Sequence, residues 1–542
     1  MSYFQRVFEI VGLILICEAI ILNLYVIEQL DPGNLIKVIE FDLALVFVGI
    51  VFVFILPGKP IYKILSKRVS ILWHRKLLIF LFILIAGSFL RFYSIGAESL
   101  WTDEAYTKDD IGIIRDDINK WWEPHPPLYF FAISVWAYFF GTTETALRSL
   151  SAIFGILAIP MIFVLARRMF DDRTAVFSAL ILSLSAFSVW YSQEARMYSL
   201  LQLIIMISTY FFIRLKENDR KVWALYVIST SAMIYTHYFG FLILIVQNLF
   251  VLFKRSEVVR LKKWLILQAA IFITFLPWIN YLTFSAATRS SIIWIGTPDI
   301  ISLKQTITSL GFMFDDWFSG NFLPFAGADY VATALIIALA LLGFVRIRNG
   351  RVKSGIYSQK KETTLLLFLW LLFPVIFIYI FSLVVYPLFI TRYFIIVSGA
   401  LFILMAGGLA GIGDSRLAAA LLIALISLNL LSVNHSFNTL TKEDWRGVAD
   451  FLSRNAESEE LVYVYPFDYY CAPLKYYNKE ANFEKLYEPN LSAVNATSFW
   501  LVQIYNDEAL KLIGELEKER VIIKKDFTGG LQVYKISRVR AS

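Results

Sequence analysis

The sequence predicts an α-helical protein that crosses a membrane many times and closes with a small α/β domain. Three observations carry this. Hydrophobic residues make up 58% of the 542 positions and charged residues only 17%, where soluble domains are about a quarter charged. Apolar runs near the length of a bilayer crossing, about 20 residues, recur between residues 9 and 433. Beyond 434 the pattern changes to short β-branched and aromatic runs that alternate with amphipathic stretches, the mark of a mixed α/β unit.

The runs fall at 9–27, 41–57, 77–95, 149–166, 174–190, 198–213, 222–236, 240–253, 265–281, 328–345, 364–386, 393–412 and 416–433, about 13 membrane helices in all. The first has no small-residue cleavage site and is soon followed by others, so no cleaved signal peptide is expected. Basic loops orient the runs. GKPIYKILSKRVSILWHRK (58–76) carries six Lys/Arg and no acid, KRSEVVRLKK (254–263) five against one, and RIRNGRVKSGIYSQKK (346–361) six against none. Such loops stay in the cytoplasm, together with the milder ARRMFDDR and RLKENDRK. Residues 97–148, 191–197, 237–239, 282–327, 387–392 and everything after 434 then lie outside.

One stretch tests that scheme. PPLYFFAISVWAYFFG (126–141) is apolar but short and opens on two prolines. A crossing there would move every later basic loop outside, so it reads as a juxtamembrane helix at the outer surface. The chain thus divides into 1–76, an extra N-terminal transmembrane hairpin with its basic loop; 77–434, the main membrane domain with its large outer loop at 97–148; and 435–542, a soluble outer domain. In that last part KEDWRGVADFLSRNAESEELVYVYPFD reads as helix then strand, TSFWLVQIY as strand, NDEALKLIGELEKER as helix, and VIIKKDF and LQVYKI as strands.

Composition also excludes several classes. Cys17 and Cys471 are the two cysteines, far apart in sequence; Cys17 lies in an apolar run, which argues against a disulfide framework. The net charge of +7 reflects loop placement and gives no sign of a nucleic-acid partner.

The chemistry gathers in RFYSIGAESLWTDEAYTKDD, directly after an apolar run. Asp109, Asp110, Asp116 and Asp117 suit an ordinary soluble loop. Asp103 and Glu104 do not, pressed between Trp101 and Tyr106 at the membrane edge. Adjacent helical residues point about 100° apart, so one carboxylate can face a cavity while the other anchors the loop. A carboxylate in a partly dry site is a candidate general base.

RFYSIGAESLWTDEAYT, HPPLYF, ETALRSLSAIFG, YSQEARMYSL and TRYF follow one another between the apolar runs. In that order they resemble glycosyltransferase family 39, which includes protein O-mannosyltransferases and lipid A aminoarabinose transferases of the GT-C fold. The resemblance covers residues ~77–450, most of the main membrane domain.

It implies an inverting glycosyltransferase in the cell membrane. The donor is a polyprenyl- or dolichyl-phosphate sugar, hexosyl or pentosyl and mannosyl included. The acceptor is a lipid-linked glycan, a lipid or a protein at the outer side. Asp103 matches the family's catalytic base, and Glu104 orients it or binds an acceptor hydroxyl. Arg392, in YPLFITRYF, matches the basic position expected to hold the donor phosphate. Arg196 is a second phosphate candidate or the ion-pair partner of Glu194, and Arg148 is a weaker one. His125 is a cavity-lining residue or a structural one beside its prolines, and His237 faces the same cavity from another outer loop. Trp101, Tyr106, Tyr129, Glu194, Tyr198 and Tyr393 complete the expected lining. No cofactor and no metal centre are implied, although a divalent cation is compatible with the fold.

GFMFDDWFSGNF, in the 282–327 loop, reads either as a flap over the cavity or as a loop resting on the interface. The C-terminal domain shows no phosphate loop, metal spacing or nucleophile, and reads as a cap or acceptor-selecting unit. Its Asn490 and Asn495 triplets carry little. The two extra spans at 9–27 and 41–57 depart from the best-known relatives, and the 282–327 loop lacks the large inserted domain of the eukaryotic protein mannosyltransferases, which argues against a protein acceptor of their kind. The rival class is a transporter or flippase for lipid-linked sugars, for which no repeated halves are visible.

Overall fold

The computed structural model describes residues 71–116, 125–254, 260–286, 296–312, 328–348, 360–438 and, with short interruptions, 442–538. The runs at 9–27 and 41–57, Cys17, most of the 58–76 loop, most of GFMFDDWFSGNF, and Asn490 and Asn495 lie outside the described residues.

The helices are α1 (Ile71–Phe92), α2 (Thr102–Asp116), α3 (Leu128–Phe140), α4 (Glu144–Met169), α5 (Asp172–Leu184), α6 (Ala186–Ser192), α7 (Tyr198–Arg214), α8 (Arg220–Thr236), α9 (Gly240–Phe253), α10 (Leu261–Ala286), α11 (Ile300–Phe312), α12 (Ala328–Arg348), α13 (Lys360–Val384), α14 (Ile395–Gly411) and α15 (Ser415–Asn438). Every apolar run read between 77 and 433 coincides with a helix or helix pair. Six are long and apolar enough to cross a membrane, or up to seven with the bent pair α5 and α6 taken as one. This count covers the described residues alone, which exclude the runs at 9–27 and 41–57; among them α9 and the apolar parts of α1 and α12 are shorter apolar helices.

One run read as continuous, 174–190, is broken. α5 and α6 meet at a 56° bend. Ser185 takes extended backbone angles there and its hydroxyl accepts from Ser188 N, starting a new helix. The break exposes carbonyls inside an apolar bundle, where water cannot satisfy them. Arg91, fully buried on α1, answers this: Nη1 donates to Ser183 O at 2.9 Å and Nη2 to Leu182 O at 3.1 Å. Its guanidinium fits between two glycines. A Cβ at Gly155 would sit 2.9 Å from Arg91 Nε, and one at Gly87 3.3 Å from Nη1.

α3 has 13 residues, about 20 Å of helix against a hydrocarbon core of about 30 Å. It runs back along the first turns of α4, with Tyr129 OH 2.8 Å from Ser151 Oγ and Trp136 Nε1 donating to Ala146 O at 2.9 Å. Both its ends therefore stay at the end of the bundle where α1 finishes and α4 starts. Phe131, Val135, Tyr138 and Phe139 form an exposed apolar side. The opposite end of the bundle is tied by Arg168–Glu217 at 2.5 Å and Arg346–Asp171 at 2.6 Å. α12 and α14 touch backbone to backbone near that end: a Cβ at Gly343 would meet Leu404 O at 2.2 Å.

After α15 come α16 (Trp445–Asn455), β1 (Leu461–Tyr465), α17 (Phe467–Tyr477), β2 (Phe483–Lys485), β3 (Ser498–Ile504), β4 (Arg520–Asp526) and β5 (Leu531–Arg538). The sheet order is β2-β1-β3-β5-β4, with β1 parallel to β2 and β3 and antiparallel pairs from β3 onward. Alternation sets its two faces. Val462, Val464, Trp500 and Val502 pack under α16, while Tyr463, Tyr465, Phe499 and Leu501 form the other layer. The strands read from sequence are present. α17 and β2 were not expected, and the helix read at 506–520 falls largely outside the described residues.

Candidate active site

The site forms where α2 begins. Thr102, Asp103 and Glu104 make its first turn, a place where acidic side chains are favoured by the helix dipole. Their neighbours in sequence diverge in space, as the helical rotation requires.

Glu104 turns inward and is fully buried. Arg148 grips it with Nε at 2.8 Å from Oε1 and Nη2 at 2.6 Å from Oε2, and Ala195 N donates to Oε1 at 2.8 Å. Lys442 Nζ stands 3.8 Å from Oε2. Burial alone would raise this carboxyl, but the Arg148 and Lys442 charges and these hydrogen bonds hold it down at about 2. The same arginine donates to Ile95 O and Glu98 O at 2.9 Å and to Ser99 O at 2.8 Å. Arg148, the weakest phosphate candidate in the sequence, is the clamp of the loop that precedes α2.

Asp103 turns outward and keeps 15% of its side-chain exposure, Arg392 14%. Arg392 Nη1 donates to Asp103 Oδ2 at 2.9 Å, and its guanidinium lies 5.3 Å from the centre of the Trp101 ring. Arg196 Nη1 donates to Asp103 O at 3.2 Å and Thr107 Oγ1 at 3.0 Å. Two cations from distant helices thus meet at one aspartate.

The segment between α6 and α7 supplies three grips in a row. Gln193 O accepts from Lys442 Nζ at 3.4 Å, Ala195 N binds Glu104, and Arg196 binds α2. Glu194 is not joined to Arg196 among the described residues. It is 2% exposed, and its Oε2 has no hydrogen-bond partner among the described residues. Burial pushes its carboxyl up to about 7 against the pull of Lys442, with the Glu104 charge adding to the rise.

His237, at the start of the turn between α8 and α9, accepts from Phe239 N through Nδ1 at 3.1 Å. Its Nε2 is buried without a partner among the described residues. Burial, then the charges of His125, Arg196 and Arg392, hold it well below the ordinary histidine range. Its ring centre lies 5.7 Å from His125, 5.4 Å from Tyr393, 6.3 Å from Tyr198 and 5.2 Å from Phe239. Tyr106 lies three residues beyond Asp103 on α2, half-buried. Tyr129 is set apart: its hydroxyl is engaged with Ser151 in the packing of α3 on α4.

Three participants are not among the site residues expected from the sequence. Lys442 and Glu443 arrive from the start of the C-terminal domain. Glu443 Oε2 accepts from Thr102 N at 3.0 Å, Thr102 Oγ1 at 2.5 Å and Trp445 Nε1 at 2.5 Å. Burial pushes its carboxyl up to about 7 despite these donors. The acidic-basic TKEDW directly after the last apolar run was a local hint, but a partner 341 residues away is invisible in a single sequence. Phe239 is the other addition, stacked on His237.

Residues 124–281 match a family model described as dolichyl-phosphate-mannose-protein mannosyltransferase. That span holds His125, the 193–198 segment and His237, and leaves Asp103 and Arg392 outside it. No curated protein matches the chain by sequence. Among solved structures, ArnT from Cupriavidus metallidurans in the apo state is similar, with 13% identity over 85% of this chain and 97% of that one, at a TM-score of 0.56. ArnT from the same organism bound to undecaprenyl phosphate gives 13% identity, 85% and 98% coverage and a TM-score of 0.54. The archaeal oligosaccharyltransferase AglB from Archaeoglobus fulgidus, in complex with an inhibitory peptide and a dolichol-phosphate, gives 13% identity, 86% and 74% coverage and a TM-score of 0.54. These likenesses give the chain the GT-C fold.

Proposed function

We propose that this protein is an inverting glycosyltransferase that moves a hexosyl or pentosyl group from a polyprenyl- or dolichyl-phosphate donor to an acceptor hydroxyl, with Asp103 as the base. The observation that carries the reading is the 2.9 Å contact between Arg392 Nη1 and Asp103 Oδ2. A carboxylate and a permanent cation of the kind suited to a phosphate are within one hydrogen bond of each other, which supports the reading. The matched family description and the lipid phosphates bound by ArnT and AglB support the donor class. A lipid-linked glycan, a lipid or a protein supplies the acceptor hydroxyl.

The acceptor gives its proton to Asp103 while its oxygen attacks the anomeric carbon. The bond from that carbon to the phosphate oxygen breaks and leaves its electron pair on the phosphate. Arg392 and Arg196 meet the charge that develops there. Before donor arrives, Arg392 rests on Asp103. A phosphate that recruits the guanidinium releases Asp103 Oδ2 from its ion pair and leaves it open to the acceptor hydroxyl. Glu104, with both oxygens engaged by Arg148 and Ala195, acts as a positioning residue. His125, Tyr198, His237, Phe239 and Tyr393 offer ring faces to the sugar, and the Nε2 of His237 and Oε2 of Glu194, without a hydrogen-bond partner among the described residues, serve its hydroxyls. Arg167, Arg168, Arg214 and Arg346 crowd the opposite end of the bundle, which supports an extracytoplasmic site.

Asp103→Asn in lipid nanodiscs, assayed with radiolabelled undecaprenyl- and dolichyl-phosphate sugars, tests the reading. Transfer is expected to fall about 10²- to 10⁴-fold while donor binding persists. Transfer at the wild-type rate removes Asp103 from the base role.

A further inference from the structure

We propose that Glu443, carried by the C-terminal domain, is a positioning residue that caps α2 and thereby fixes Asp103; this rests on the reading of Asp103 given above. The first N–H groups of a helix have no intrahelical acceptor. At α2 the acceptor comes from 341 residues away, where Glu443 Oε2 takes both the backbone N–H and the hydroxyl of Thr102, the residue before Asp103. A carboxylate there also complements the helix dipole.

The cap is itself held. Trp445 Nε1 donates to the same oxygen at 2.5 Å, and Ser99 Oγ donates to Glu443 O at 2.6 Å. The β4–β5 turn presses on the Glu443 backbone: Gly529 has φ +67°, and a Cβ there would stand 2.4 Å from Glu443 Cα. Asp444 N donates to Thr528 O at 3.3 Å. Lys442 N donates to Glu98 Oε1 at 3.2 Å, beside the same loop. The sheet of the outer domain thus buttresses a strap that ends on the first turn of α2. The domain is part of the catalytic apparatus, and what docks it sets where the base stands.

The test uses the full chain in nanodiscs with Glu443→Ala, Glu443→Gln and Thr102→Val. Glutamine keeps an acceptor oxygen; alanine removes it. Alanine is expected to lower kcat about 100-fold with the donor KM unchanged, the scale of a catalytic group displaced by about an ångström, and glutamine to recover most of that loss. Thr102→Val approaches the contact from α2 with the outer domain untouched, and is expected to cost kcat about tenfold or less. Hydrogen exchange supplies a second readout. Amides 102–106 exchange faster in Glu443→Ala than in wild type or Glu443→Gln, while β3 and β5 stay protected. Unchanged exchange at 102–106, or faster exchange with kcat intact, overturns the inference. Asp103→Asn with full transfer would instead overturn the base assignment, and the exchange comparison still decides the cap.

Discussion

Replacing Arg148 with methionine removes one half of a buried ion pair and keeps most of the volume. The structure sets the scale. Against burial, which would raise it, Glu104 is held well below the ordinary carboxylate range, chiefly by the Arg148 charge. Removing one partner of such a buried pair costs about 3–5 kcal/mol, because the other charge is left without compensation. The cost depends on pH with a definite sign. In the wild type the folded value lies below the unfolded one, so the stabilisation is full above about 4.5 and is lost as pH falls towards about 2. In Arg148→Met burial drives the carboxyl upward instead, so the penalty is largest at neutral pH and shrinks as acid neutralises Glu104. Thermal unfolding of purified protein in detergent, followed by tryptophan fluorescence at about pH 5 and about pH 7.5, should show the larger loss at the higher pH. Adding Glu104→Gln should restore part of the stability. Restoration stays incomplete because the carbonyls of Ile95, Glu98 and Ser99 lose their donor. An equal loss at both pH values, or a double variant no better than the single one, would show that Arg148 does not stabilise the fold by pairing with the Glu104 charge.

Two further outcomes follow from the same geometry. Arg392→Lys keeps the charge but loses the planar fork, and undecaprenyl phosphate affinity measured in nanodiscs should fall about 10- to 100-fold, the worth of one charge-assisted hydrogen bond; unchanged affinity would remove Arg392 from the phosphate site. Glu194, raised in the folded protein to about 7, opposes folding increasingly as pH climbs from the ordinary carboxylate value through that point. Glu194→Gln should therefore raise the unfolding temperature at pH 8 more than at pH 5, and a pH-independent difference would contradict the buried, neutral carboxyl.

Some of this was written in the chain and some was not. Hydropathy located the membrane helices because burial in lipid demands long apolar runs. The W-x-D-E stretch stood out because carboxylates beside a bilayer are costly. What the sequence could not say was which carboxylate turns outward. Asp103 and Glu104 differ only by their rotation on α2, and the choice is made by Arg148, 44 residues on. The break at Ser185 was hidden in an apolar run, since nothing in SLSAFS outweighs its hydropathy. Its one trace was Arg91, a charge in the last turn of α1, whose partners lie 91 and 92 residues away. Lys442 and Glu443 were legible only as polar residues after the last helix. Residue pairs this far apart are fixed by the tertiary fold, and a single chain carries no local signal for them.

A carrier for lipid-linked sugars is the other reading of many apolar helices and buried arginines, and the placement of charge weighs against it. Carriers bind near the bilayer midplane, where unwound segments leave backbone groups for the cargo. The broken pair here, α5 and α6, has its loose carbonyls taken by Arg91, so the break is structural. The acidic and basic groups around Asp103 gather instead at helix ends on one side, at 102–104, 193–196, 237, 392 and 442–443. The far side is drawn together by Arg346–Asp171, Arg168–Glu217 and Lys216–Glu362, and by the close backbone contact of α12 with α14 at Gly343. Opening a path would mean breaking those pairs and parting helices that touch main chain to main chain. An aspartate held against a guanidinium at one edge of the bundle has no use in the passage of an intact lipid, whereas it suits the proton and phosphate chemistry of the transfer proposed above.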